Sequence, residues 1–331
     1  MEGIVLWGSN NIFHVAPVDR NGASGRIPSD GTLPVVDGLP QGIECRLKGK
    51  QLAGTGKGYN ALAPGDRVQG DLEGGMIEER LPRRNEFVRW NRKRNAVQTI
   101  AANLDLLLTV ASPSEPPFRP RFIDRVSVAA ELANIPFGVI VNKRDHGVPP
   151  EVSRRIELFR GLGYHALETS ATEDYGLDIL AEQIRGLQVA FVGQSGAGKS
   201  TLLNAIAPGT GARVGEVSRK YNRGRHTTTL AVRIPLQELE GAIIDTPGIR
   251  EIDLYAFPRE QIAWGFPEME PFIPHCRIPG CTHRHEPDCA VFGALELGEI
   301  DPDRYESYKR IMADHEMSQK LAGEYRYGAG R

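Results

Sequence analysis

Apolar and polar residues alternate in short runs over the first 95 positions. GIVLW, IFHVAPV, GIECRLKG, DRVQGDL and GGMIEERL are separated by Gly, Pro and Asp turns, and no helical period runs through them. Period-two patterning broken by turn residues predicts a small all-β barrel or sandwich. Asp19 to Gln41, rich in Gly, Pro, Ser and Asp, reads as a long loop. From about residue 96 the pattern changes. LDLLLTV (104–110), FGVIVNK (137–143), YHALETS (164–170), LQVAFVG (187–193) and GAIIDTPG (241–248) are apolar runs ending in polar or Gly-rich turns. Segments of helical period, RFIDRVSVAAELA, EVSRRIELFR, DILAEQIRG and KSTLLNAIA, lie between several of them. Strands alternating with helices predict a parallel sheet covered on both faces, with ligands beyond the carboxyl ends of its strands. After about residue 255 the chain is Pro-rich, then carries cysteines, and finishes in a helical stretch, DRYESYKRIMADHEMSQKLA. The predicted organisation is a β domain over 1–95, an α/β domain over 96–255 and a mainly helical domain over 256–331.

Composition changes this picture little. With 331 residues, 40% hydrophobic and 25% charged, the chain suits two or three soluble globular domains. Its apolar runs are too short to cross a bilayer. MEGIVLWGSNN lacks the basic n-region and cleavage site of a signal peptide, so a cytoplasmic protein is expected. Local charge says more than the net charge of −2: RLPRRNEFVRWNRKRN (80–95) carries seven Arg or Lys against one Glu, and RVGEVSRKYNRGRH (213–226) is a second basic stretch. Arg83, Arg84 and Arg92 are candidate RNA contacts; the alternative is a solvated basic face.

Gly193-Gln194-Ser195-Gly196-Ala197-Gly198-Lys199-Ser200 fits G-x-x-x-x-G-K-[ST] between a predicted strand and a predicted helix. The glycines let backbone N–H groups turn toward phosphate oxygens, and the helix N-terminus adds positive potential. Lys199 is expected to reach the β- and γ-phosphates and Ser200 to ligate Mg²⁺, with Thr201 completing the candidate stretch. In AIIDTPG, Asp245 ends an apolar strand where its carboxylate can hold the same ion, and the Gly248 N–H can meet the γ-phosphate. Between them, RGRHTTT (223–229) reads as a switch loop. Thr228 is the candidate Mg²⁺ ligand there, and Thr227 and Thr229 stay open beside it.

A guanine reader lies upstream. Asn142-Lys143-Arg144-Asp145 has the form N-K-x-D. Asp145 can accept from guanine N1–H and the exocyclic amine, which adenine does not match. Asn142 and the Lys143 stem can address the rest of the base. ETSA (168–171) ends the next predicted strand, where the backbone at Ser170 and Ala171 can meet guanine O6. Ordinarily the guanine motif follows the phosphate loop, whereas here it comes about 50 residues before it. A circular permutation, which joins neighbouring chain ends and cuts elsewhere, keeps one site in this new order. The domain then ends just after the second switch, at about Arg250 to Tyr255.

In LPRRN, VNKRD, GQSGAGKST, GRHTTT, DTPG and a C-terminal cysteine cluster, the chain resembles the ribosome small-subunit-dependent GTPases, a circularly permuted family of ribosome assembly. The resemblance implies an OB-fold barrel first, a permuted P-loop GTPase second and a zinc domain last. It further implies GTP hydrolysis with Mg²⁺, binding to the small (30S) subunit and its rRNA, and release coupled to hydrolysis, in a protein expected to be a monomer. Cys276-x₄-Cys281-x-His283-x₅-Cys289 supplies three thiolates and one imidazole, the donor set of a closed tetrahedral Zn²⁺ site, and the family's zinc motif falls on these four residues. His275 and His285 compete as ligands, and a disulfide is disfavoured in a reducing cytosol. Cys45 stands apart as a buried neutral thiol. Many GTPases place a water-orienting Gln just after D-x-x-G. Ile249 stands there instead, which makes His226 the candidate catalytic group, against a His that merely packs or touches RNA. Two other readings remain: a permuted GTPase of the large subunit, and an RNA-binding scaffold with a structural nucleotide site.

Overall fold

The computed structural model describes residues 1–9, 11–18, 35–36, 39–48, 60–91, 95–208, 230–246, 248–249 and 251–328. The alternating runs of the N-terminal part become β1 (Glu2–Ser9), β2 (Ile12–Pro17), β5 (Ile43–Leu47), β6 (Arg67–Asp71) and β7 (Met76–Arg80), with a two-residue pair, β3 (Val35–Val36) and β4 (Leu39–Pro40), between β2 and β5. The five longer strands close into a barrel in the order β1-β2-β5-β7-β6, with β5 and β7 parallel and the other pairs antiparallel. That order is the OB arrangement. One side chain in two points inward, so Val5, Phe13, Val15, Val68, Leu72 and Ile77 fill the barrel. Cys45 joins them, and burial pushes its thiol up to about 11, so it is neutral.

A hairpin follows the barrel, β8 (Glu86–Asn91) paired with β9 (Ala96–Ala102). The sequence reading treated 80–95 as a basic stretch and did not foresee this ribbon. Its apolar residues Phe87, Ile100 and Ala101 join the core of the next layer rather than that of the barrel.

That layer is a six-stranded sheet in the order β12-β11-β10-β13-β15-β14. The strands β10 (Leu106–Ala111), β11 (Phe137–Val141), β12 (His165–Glu168), β13 (Gln188–Val192) and β15 (Gly241–Asp245) are parallel, as the alternation of strands and helices predicts. The sequence reading missed β14 (Val232–Leu236), an antiparallel edge strand. Pro235 argues against a strand when read alone, but an edge tolerates it because its missing N–H leaves no central ladder bond unmade. Helices α1 (Pro120–Leu132) and α2 (Pro150–Gly161) cover one face. Helices α3 (Leu177–Ile184) and α4 (Lys199–Ile206) cover the other, where Leu6, Trp7 and Leu39 of the barrel part also pack.

Beyond β15 come short 3₁₀ turns at Leu254–Ala256, Arg259–Gly265 and Ile273–His275, a helix at Ala290–Glu296 and a long helix at Pro302–Gly328. The long helix is anchored by a fully buried arginine. Arg304 meets Asp124 of α1 at 2.9 Å and Glu268 at 2.6 Å, and Arg155 of α2 meets the second Asp124 oxygen at 2.6 Å. Two cations against two carboxylates keep this interior neutral, which a buried charge requires. Among the described residues, no helix is long and apolar enough to cross a membrane.

Candidate nucleotide site and metal cluster

Asn142, Ser170, Gly193 and Thr246 follow β11, β12, β13 and β15 at one edge of the sheet, at or just beyond its carboxyl ends. The guanine and phosphate loops, 55 residues apart in sequence, touch there: the Asn142 side-chain amide donates to the Ala197 carbonyl at 3.2 Å. Gly198 sits at φ +91°, and a Cβ on it would lie 2.3 Å from Asn142 Nδ2. Only glycine meets both the backbone requirement and the closeness of that approach. Lys199 opens α4 and bends back so that its ammonium donates to the Gly193 and Gln194 carbonyls at 2.9 and 3.2 Å. Ser195, Gly196, Ser200 and Thr201 complete the loop and the first turn of the helix.

Asp245 ends β15 beside this loop, 4% exposed. Burial pushes its carboxyl up to about 6 even though Lys199 pulls the other way, and burial lowers Lys199 in turn. One Asp245 oxygen is buried without a hydrogen-bond partner. An orphaned carboxylate oxygen facing a phosphate loop suits a hard cation such as Mg²⁺. Gly248 lies against Ser195, whose backbone N would be 2.8 Å from a Cβ at that position. His226, Thr227, Thr228, Thr229 and Arg92 lie outside the described residues.

On the guanine side, the Ser170 hydroxyl donates to Asp145 Oδ1 at 2.6 Å, and this bond holds the carboxyl below the usual carboxylate range. Asp145 is thus an ionised acceptor, with its second oxygen 3.4 Å from His146 Nε2. Lys143 adopts the left-handed conformation at φ +68° and donates through its ammonium to the Glu115 carbonyl at 2.7 Å. Ala171 is half-buried in the turn after Ser170.

In the C-terminal part, Cys276, Cys281, His283 and Cys289 bring their donor atoms within 4.8 Å of one another. Cys276 Sγ lies 3.9 Å from Cys289 Sγ, and both lie 3.4–3.5 Å from His283 Nδ1. A tetrahedral ion ~2.3 Å from each sulfur would hold its sulfurs about 3.8 Å apart, so the cluster has the size of a single-ion cage. No pair is bonded as a disulfide, and His275 and His285 stay outside the group. The long helix clamps the ligand loop: Tyr305 donates to the His283 carbonyl at 2.7 Å and Tyr308 to the Thr282 carbonyl at 2.6 Å.

Known proteins resemble this chain in sequence and in fold. The family model described as RsgA GTPase matches residues 80–255, more than half of the chain. A protein of Borreliella afzelii strain PKo named small ribosomal subunit biogenesis GTPase RsgA is 36% identical over 317 residues, spanning 95% of this chain and 96% of the relative. One of the same name from Moorella thermoacetica is 41% identical over 274 residues, 82% of this chain and 89% of that one. The chain belongs to the RsgA GTPase family. It is a GTP-hydrolysing enzyme, as the family is. The crystal structure of YjeQ from Thermotoga maritima, 27% identical, superposes with a TM-score of 0.67 over 95% of this chain and 98% of that one. YloQ, described as a circularly permuted GTPase, has the same fold at 22% identity and a TM-score of 0.63, covering 95% and 94%.

Within this RsgA GTPase fold the two described basic candidates differ. Arg83 is turned inward, its side chain 10% exposed, and bonds both oxygens of the fully buried Asp66 at 2.7 and 2.8 Å. It also pairs with Glu86. The sequence reading took Arg83 as a candidate RNA contact; in the structure its charge is paired inside the protein. Arg84, with 60% of its side chain exposed, rests on Asp105 at the surface. Sequence reading ended the domain at about Arg250 to Tyr255 but did not foresee what this segment touches. Asp253 accepts from Trp90 N of β8 at 3.2 Å and from Ser318 of the long helix at 3.0 Å. Tyr255 packs edge-on to Trp90 at 4.9 Å and meets His315 at 5.2 Å.

Proposed function

We propose that this GTPase is a late assembly and maturation factor of the small ribosomal subunit, binding its rRNA and coupling GTP hydrolysis to release. The observation that carries the proposal is the near full-length match to relatives that bear that name. The nucleotide half has separate support in the Asn142–Ala197 contact, which joins the two loops in permuted order. In this reading Asp145, Ser170, Ala171, Asn142 and Lys143 receive guanine. Residues 193–201 cradle the phosphates, and Gly248 meets the γ-phosphate. Mg²⁺, when bound, neutralises phosphate charge in the transition state. Ser200, Thr228 and the buried Asp245 are the residues to hold it. Lys199 supplies a fixed cation inside a dry site, where its field is strong. His226 orients the attacking water.

Cys276, Cys281, His283 and Cys289 hold one structural zinc ion, a role suited to a closed Cys₃His set. Arg84 and Arg92 contact rRNA from the barrel side. The protein acts in the cytoplasm as a monomer. GTP turnover measured with each separated ribosomal subunit tests the proposal. Small subunits are expected to raise the rate well above that with large ones. Equal stimulation by both, or none by either, would refute the small-subunit assignment.

A further inference from the structure

Arg144, the variable residue of the N-K-x-D motif, is the most heavily engaged side chain at the base-reading end that no nucleotide role uses. Its backbone N–H donates to the Thr169 carbonyl at 3.1 Å. Its Nε donates to Glu168 Oε2 at 3.1 Å. Its guanidinium carbon stands 4.2 Å from the centre of the Tyr175 ring, within cation–π range. Glu168 and Tyr175 bracket the second guanine loop. Tyr175 and Ser170 exchange two backbone hydrogen bonds of 3.0 Å, which closes residues 170–175 into a ring. Arg144 therefore spans from the first guanine loop to both ends of the second. The join is at the surface, since 43% of the Arg144 side chain and 46% of Tyr175 are exposed.

We infer that Arg144, Glu168 and Tyr175 form a strap that fixes guanine selectivity by locking the two base-reading loops together. The inference rests on the assignment of Asp145 as the guanine acceptor. Asp145 belongs to the first loop, and Ser170, which holds one of its oxygens, belongs to the second. The carboxylate keeps its rotation only while the loops stay in register. Two donors of guanine, N1–H and the 2-amino group, need both oxygens at fixed angles. A base with N1–H alone needs only one. Loosening the strap must then cost guanine more than hypoxanthine. Arg144 is a positioning residue in this account, since it acts through Asp145 and Ser170.

The test compares GDP with inosine diphosphate, which lacks the 2-amino group, by equilibrium binding to the full chain. Arg144→Ala is expected to weaken GDP roughly tenfold, the scale of one cation–π contact plus one surface ion pair. It should weaken inosine diphosphate much less, so that the ratio of the two affinities narrows. Arg144→Lys keeps the charge over the ring and should restore part of the ratio. Glu168→Gln, at a half-buried position, and Tyr175→Ala, at an exposed one, should narrow the ratio in the same direction. Tyr175→Ala added to Arg144→Ala should add little, because the two share one contact. An unchanged ratio overturns the strap, whether affinity is retained or both nucleotides weaken equally as after a merely structural loss. If the unaltered protein binds GDP no better than ADP, the assignment of Asp145 itself fails and the strap with it.

Discussion

Arg83 and Asp245 show how the environment of a single residue decides its role. Composition gives Arg83 and Arg84 the same value, and burial separates them. Removing Arg83 leaves Asp66 as a buried carboxylate without its cation, so Arg83→Ala should destabilise the fold by about 3–5 kcal/mol, read from the chemical denaturation midpoint. Arg84→Ala should stay within about 0.5 kcal/mol, because the Arg84–Asp105 pair is exposed. Asp245 is the opposite case, a charge kept where stability would discard it. Its raised carboxyl means that ionisation at neutral pH costs the ligand-free protein on the order of 3 kcal/mol. Asp245→Asn should therefore raise the melting temperature of the nucleotide-free protein while abolishing Mg²⁺-dependent turnover, with calorimetry and phosphate release as the two readouts. A lowered melting temperature would show that Lys199 needs that carboxylate more than the carboxylate resents its burial. Asp145→Ala should lose most of the preference for GTP over ATP, measured by competition binding. The guanine role proposed for Asp145 was legible from four letters, since a base edge demands that donor–acceptor pattern. The inward turn of Arg83 was not, because its partner Asp66 lies 17 positions away and only the barrel brings them together.

At the scale of elements, those with a strong period were readable and those shaped by a neighbour were not. The five parallel strands lie within the runs identified in the sequence, and β10, β11, β13 and β15 are apolar along nearly their whole length because strands inside such a sheet are buried on both faces, whereas the edge strand β12 is not. β14 hid behind Arg233 and Pro235, which only an edge accommodates. β9 hid because AVQTIAA holds Gln98 and Thr99, whose polar groups are satisfied by Arg89, Asn91, Asn60 and Arg83 from other segments. The cysteine spacing was legible as a donor set, whereas the tyrosine clamp on its loop was not, since Tyr305 and Tyr308 come from a helix begun 13 residues after the last cysteine. Cys281→Ser should lower the zinc content from about one ion per chain. Amide exchange should then quicken in residues 276–289 and in the first turns of the long helix, while GDP affinity is retained. A metal-free native protein with a fully protected loop would dismiss the zinc site.

The whole molecule gathers its parts on the few residues after the second switch. Asp253 and Tyr255 are held from one side by the hairpin through Trp90 and from the other by the long helix through His315 and Ser318. If the proposed small-subunit partner binds either flank, this segment, eight to ten residues after Asp245, is where its pull would enter the GTPase domain. By linkage, the nucleotide that tightens subunit binding is itself bound more tightly on the subunit. Co-sedimentation with small subunits should accordingly favour a non-hydrolysable GTP analogue over GDP, and Arg84→Glu should weaken it and flatten its salt dependence without changing GDP affinity. The permuted order also dictates how the protein is born. Strands β10, β11 and β12 are consecutive in the chain and adjacent in the sheet, so this half of the sheet is complete, with α1 and α2 on one face, by the time residue 168 has been synthesised. Its β10 edge then waits, unpaired, for β13 to arrive at residues 188–192. An open parallel edge is a hazard for a nascent chain. Strand β13 closes this edge and leads straight into the phosphate loop, so the segment that covers the exposed sheet edge of the newborn chain is the same one that brings in Gly193–Ser200.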